Sequence, residues 1–152
     1  MRTMIVLCGL FSLIGCTSST QNTIEPDLQY SNITIAEVKS QTIPIPTNAN
    51  NLTRTSDNIV TEAITIQFDS DEPSDTIKIW YQDYFSKNKW NPIGYKKPEG
   101  SPPNALIFSI LGQDGLTLYF RNIALDIAEC HERTCVSIID EGYITFVDKG
   151  LN

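Results

Sequence analysis

The chain has 152 residues, 18 of them acidic against 11 basic, and a formal net charge of −7 with its single histidine neutral. That balance excludes the clustered lysines and arginines that nucleic-acid binding demands, and it excludes purely electrostatic adhesion to an anionic membrane. The length suits one domain with its own core, and no internal repeat or long block of like charge divides it.

At the amino terminus, Arg2 precedes the apolar run from Met4 to Ile14, and small Gly15 stands just before Cys16. A basic residue, a short hydrophobic core and a small residue at the cleavage point are the parts of a secretory signal. The run falls well short of the roughly 20 residues that span a bilayer. The four residues Leu13-Ile14-Gly15-Cys16 resemble the lipobox of bacterial lipoproteins. That resemblance implies cleavage before Cys16, a thioether-linked diacylglycerol on its sulfur and a further acyl chain on the new amino terminus. Residues 1–15 are then a signal peptide that takes Cys8 with it, and the loss of Arg2 moves the net charge to −8. At about 0.8 kcal/mol per buried methylene, one chain holds a protein only marginally, whereas two or three hold it durably. By the same resemblance, Thr17 in place of Asp after the cysteine implies the outer membrane, with the domain facing the periplasm.

Residues 16–29, the lipidated cysteine followed by Ser, Thr, Gln and Asn with Pro26, read as a flexible tether. Residues 30–152 form a single α+β domain. Between Ser31 and Val38, Ile33 and Ile35 alternate with Asn32 and Thr34, which predicts a first strand; polar residues 39–58, with Pro44, Pro46 and several asparagines, predict a long loop. Strict alternation from Ala63 to Phe68 predicts a half-buried strand. From about Pro73 to Asn88, Ile77, Trp80, Tyr81, Tyr84 and Phe85 recur at helical spacing, with acids at the amino-terminal end to favour the dipole and cap it. Trp90 and Pro92 predict a strand leaving this helix. Ala105 to Leu111 and Leu116 to Phe120 predict a hairpin about Gly112-Gln113-Asp114-Gly115. The apolar set then moves from even positions (Leu116, Leu118, Phe120) to odd ones (Ile123, Leu125, Ile127), which predicts a bulge or turn near Asn122. Val136–Ile139 and Tyr143–Val147 predict two short strands joined at Asp140-Glu141-Gly142. The expected architecture is one amphipathic helix packed on a curved antiparallel β-sheet.

From Ile66 to Trp90, a strand, an acidic turn with Pro73, a helix carrying Trp80-Tyr81 and then Trp90 are similar to the helix-grip modules of a lipoprotein subunit of the outer-membrane barrel assembly machinery. Lys89 stands where those modules often have Gly. The likeness implies a fold more than a role.

Cys130 and Cys135 are the only cysteines left besides Cys16, and an oxidising compartment favours a disulfide across a loop formed by His131-Glu132-Arg133-Thr134. The alternative, a metal or redox pair, lacks further ligands at a suitable spacing. Asp69, Asp71, Glu72 and Asp75 suggest either calcium or, more simply, support of a helix amino terminus. Trp80, Tyr81, Tyr84 and Trp90 are candidates to line a ligand groove, against a plain core role. With one histidine, no Ser in a G-x-S-x-G setting and no metal-ligand spacing, neither a catalytic activity nor a cofactor is expected. The leading expectation is a membrane-anchored lipoprotein that presents a non-catalytic binding or assembly domain to another protein of the cell envelope. The alternative is a periplasmic inhibitor or immunity lipoprotein that blocks a hydrolase or toxin.

Overall fold

A computed structural model describes residues 33–57, 63–94 and 96–147; the signal, Cys16 and the tether lie outside the described residues. The described residues form a mixed α+β fold, in which two helices accompany a five-stranded antiparallel sheet. In chain order the elements are α1 (Ile35–Ser40), β1 (Asn50–Asp57), β2 (Ala63–Ser70), α2 (Ser74–Lys87), β3 (Leu106–Asp114), β4 (Thr117–Cys130) and β5 (Arg133–Phe146). Across the sheet the order is β1-β2-β5-β4-β3.

The expected first strand is a helix instead. Thr34-Ile35-Ala36-Glu37 is a capping box: the Thr34 hydroxyl accepts the Glu37 N–H at 3.2 Å, and Glu37 Oε2 accepts the Thr34 N–H at 2.7 Å. Satisfying these two orphan donors outweighs the weak alternation of two isoleucines. The expected long loop contains β1, which pairs with β2 from Asp57↔Ala63 to Asn50↔Asp69 with one register shift. Its side chains from Asn50 to Ser56 are exposed, so this edge strand carries no alternating apolar signature. The strand expected to leave α2 at Trp90 and Pro92 is not formed; among the described residues between α2 and β3 there is only a single bridge between Asn91 and Ser109.

Neither the bulge near Asn122 nor the break at residues 140–142 is present. Strand β4 keeps register with β3 from Thr117 to Leu125 and with β5 from Thr117 to Cys130. The parity change has another cause: β4 is covered on both faces. Tyr119, Ile123, Leu125 and Ile127 join the main core, whereas Leu118 and Phe120 join Leu111 and Tyr143 in a second cluster on the other face. Between the apolar ends of that second face runs a polar seam, where Ser109 Oγ donates to Asn122 Oδ1, both residues being fully buried. The connection after α2 lies over this face, with Gly94 against Ile107, Pro98 buried and the Lys96 ammonium over the Tyr143 ring. Gly142 stays within β5 because Tyr119 lies across it, where any Cβ would collide with the phenol.

On the main-core face, Ile77, Tyr81 and Phe85 of α2 share one cluster with Ile66, Phe108 and Ile138 of the sheet. The Phe85 ring stacks on Phe108 at 4.5 Å between centroids and meets Trp90 edge-on at 5.1 Å. Burying a side chain such as Phe85 contributes roughly 1.5–3 kcal/mol, and such contacts hold the helix to the sheet.

Candidate functional site

The spacing of α2 puts Trp80, Tyr81 and Tyr84 along one side of the helix, but the chain uses them unequally. Tyr81 is fully buried and donates its hydroxyl to the Pro44 carbonyl at 3.0 Å. Burial alone pushes the Tyr81 hydroxyl far above the usual phenol range, so it stays a neutral donor. Tyr84 donates to the Thr42 carbonyl at 3.0 Å, and buried Trp90 donates from Nε1 to Gln41 Oε1 at 2.6 Å. These three side chains therefore clamp the strap of residues 41–46 onto the helix, and the strap occupies the position that a ligand lying along the whole aromatic stripe would need. Trp80 differs. It sits edge-on to Tyr81 at 4.8 Å, is 39% exposed, and with Ile45, Pro46, Thr76 and Ile77 lines a groove of about 460 Å³ between the strap and α2. Ile79, one residue before it, is 64% exposed.

Beneath the strap lies an ion pair that the sequence analysis missed. Arg121 of β4 meets Asp140 of β5 through two hydrogen bonds, at 2.8 and 2.7 Å, and its Nη1 donates to the carbonyls of Val38 at 3.0 Å and Gln41 at 2.6 Å. The guanidinium also lies over the Trp90 ring, 5.7 Å from its centroid. Burial works against the charge on Arg121, but the bonds to Asp140 and its opposite charge outweigh it and hold the group above its ordinary range. One side chain thus ties the end of α1 and the start of the strap to the sheet. The available signal was the one Arg of β4, diagonal to an Asp of β5 and set among apolar neighbours such as Phe120 and Ile123.

At the opposite end of the hairpin, Cys130 and Cys135 are joined in a disulfide with Cα atoms 5.8 Å apart. The loop is shorter than expected, and the cysteines are diagonal. Only His131 and Glu132 make the turn, both with positive φ (46° and 67°), while Cys130 pairs with Arg133 and Cys135 with Ala128. Two left-handed residues are what a two-residue hairpin turn of matching twist requires. Asp71, Glu72, Glu129 and Glu132 line a cavity of about 560 Å³ at this tip, and His131 opens onto it as well.

The four acids around the start of α2 do not converge on one point. Asp69 accepts from Asn51 at 2.7 Å, Asp71 pairs with Arg133 at 3.2 Å, Glu72 accepts from Asn48 at 3.5 Å, and Asp75 pairs with Lys78 at 3.3 Å. Nor do they cap the helix through side chains: Pro73 is the N-cap residue, and only Asp75 stands in the first turn. Among the described residues the one group with metal-ligand proximity is Asp69, Cys130 and Cys135, whose candidate atoms lie within 4.8 Å of one another. With the two sulfurs bonded to each other, that group offers no thiolate. No helix among the described residues is long and apolar enough to cross a membrane. Comparison with protein-family models, with curated proteins and with solved structures finds no match.

Proposed function

We propose that the chain is a lipoprotein, anchored through Cys16 in the cell envelope and probing the periplasm from the outer membrane, whose domain is a non-catalytic binding or assembly module. The observation that carries this reading is the groove beside Trp80. It is open, its wall mixes Ile45, Pro46 and Ile77 with Thr47, Asn48, Glu72 and Thr76, and it is bordered by an exposed tryptophan on a helix whose other aromatic side chains are already engaged within the fold. Exposed aromatic anchors beside a concave surface supply most of the affinity in protein recognition, and an acidic module of this kind needs neither a metal nor a cofactor. Mild crosslinking in cells followed by affinity purification is expected to recover one recurrent envelope protein with the wild-type chain and to lose it with Trp80→Ala. Undiminished recovery with the variant would contradict the groove as the binding surface.

A second reading rests on a different observation. Strands β4 and β5 pair as far as Cys130↔Arg133, whereas β3 meets β4 only up to Leu125, so the disulfide-closed tip extends beyond β3 with Glu129 and Glu132 exposed. On its other side β2 accompanies β5 as far as Ser70↔Thr134, so the tip is a braced acidic corner, which suits the basic cleft of a hydrolase or toxin, as an inhibitor or immunity lipoprotein would use it. In that case exchanging Glu129 and Glu132 for lysine abolishes protection against the attacking enzyme, while Trp80→Ala leaves it intact.

A further inference from the structure

Half of the large apolar side chains that stand exposed among the described residues gather at one place. Leu116 in the β3–β4 turn is 47% exposed, and Ile144, Phe146 and Val147 at the end of β5 are 53%, 73% and 38% exposed. The pairing puts them side by side: Thr117 faces Phe146, Tyr119 faces Ile144, and the Val147 N–H donates to the Leu116 carbonyl at 2.9 Å. The other four, Leu52, Ile79, Trp80 and Ile93, are scattered over β1, α2 and the connection that follows it. An apolar end of this kind asks for a cover.

Two further features say which cover it is. First, the chain arrives from Cys16 at this same end, because the Ile33 carbonyl accepts the Gln113 N–H at 2.9 Å, next to the turn that carries Leu116. Second, two tyrosines border the apolar end, each under a lysine: Tyr119, directly across from Ile144, has the Lys39 ammonium 4.8 Å from its ring centroid on one face of the sheet, and Tyr143, one residue before Ile144, has that of Lys96 at 5.4 Å on the other. Apolar side chains bordered by tyrosines and by lysines with long apolar stems are the mixture that suits the lipid–water boundary, where the stems lie along hydrocarbon and the ammonium groups reach phosphates. In an acidic chain with 11 basic residues, the placing of these two on either side of the apolar end carries weight.

We infer that this end of the β4–β5 hairpin rests in the headgroup region of the bilayer, with Leu116, Ile144, Phe146 and Val147 directed at the acyl chains and Lys39 and Lys96 at lipid phosphates. The inference shares the anchored reading proposed above and adds an orientation to it: the tip at Cys130–Cys135, at the far end of the same hairpin, faces away from the membrane, while the Trp80 groove on α2 stays in the aqueous phase. Four side chains bind a bilayer weakly by themselves, so the acyl anchor holds the domain while the apolar end sets its pose.

The test uses the full chain, extracted from membranes and reconstituted into vesicles of phosphatidylethanolamine with a minority of phosphatidylglycerol. A photoreactive benzoylphenylalanine replaces Phe146 in one sample and Ile79 in another, and the mass of the amino-terminal peptide is read in both. Lipid adducts at position 146 and none at 79 are expected. Adducts at 146 to a second copy or to another protein, or no lipid adducts there while Cys16 carries its acyl mass, would overturn the inference and leave the anchor standing. Lipid adducts at 146 without acyl mass on Cys16 would support the apolar end as a membrane contact and overturn the anchor alone. Lys39→Glu with Lys96→Glu is expected to lower the adduct yield several-fold; an unchanged yield would overturn the assignment of these lysines to phosphates.

Discussion

Arg121 shows how a single side chain can settle the placement of several elements. Its guanidinium is nearly enclosed, and it spends its donors on Asp140 and on two carbonyls at the end of α1 and the start of the strap. Removing one partner of such a pair leaves a charge buried without compensation, a loss of roughly 3–5 kcal/mol, whereas replacing both with apolar groups is often neutral. Asp140→Ala is therefore expected to lower the unfolding free energy in urea titration by an amount of that order, and Arg121→Met with Asp140→Leu to recover most of it. If the double variant were as unstable as the single one, the two carbonyl bonds of Arg121 would be the larger contribution. Tyr81→Phe probes a neighbouring link of the same assembly. It strips the Pro44 carbonyl of its donor, costs about 1–2 kcal/mol in denaturant unfolding, and loosens the wall of the Trp80 groove.

Among the elements, α1 has only six residues and depends on its cap. Thr34→Ala is expected to cost about 1 kcal/mol and to weaken the amide protection of Glu37 and Val38 in hydrogen exchange. The same cap gives a pH dependence. The Thr34 backbone N–H, then its hydroxyl, hold the Glu37 carboxyl below the usual carboxylate range. A carboxyl depressed on folding contributes stability that is present above the unfolded value of about 4.3 and lost as pH falls through the lower folded value. Acid titration followed by amide shifts should thus show α1 fraying as pH falls through the lowered Glu37 value, below the range of an ordinary carboxylate, and Glu37→Gln should remove that step.

The elements also show what could be read in advance. Strand β2 and helix α2 were legible because each buries one face, Ile66 and Phe68 in the first and Ile77, Tyr81 and Phe85 in the second, so periodicity reports burial directly. The same logic fails in two opposite cases. Strand β1 buries nothing on either side and carries no pattern; β4 is covered on both faces and carries two patterns at once, which imitates a bulge. For α1 the signal was present in Thr34 and Glu37, and the alternation of Ile33 and Ile35 concealed it. The candidate site divides likewise. The cysteine pair was legible from its spacing and from the compartment that the amino terminus leads one to expect, whereas the strap that takes up Tyr81, Tyr84 and Trp90 comes from a segment some forty residues away, and no local pattern announces it.

For the molecule as a whole, the described structure separates three surfaces. A disulfide-closed acidic tip stands at one end of the β4–β5 hairpin, an apolar end ringed by Lys39 and Lys96 at the other, and the Trp80 groove on the helix layer. The anchored reading gives each a direction, with the apolar end against lipid and the other two toward the periplasm. The account depends most on Cys16, the residue whose proposed acylation makes this small acidic domain an envelope component. The most direct measurement is the intact mass of the chain extracted from cell membranes, compared with that of Cys16→Ser. The account predicts a wild-type chain that begins at Cys16 and carries diacylglycerol with a further acyl chain, and a variant that lacks this mass and leaves the membrane fraction. A wild-type chain that retains residues 1–15, or that begins at an unmodified cysteine, would contradict it.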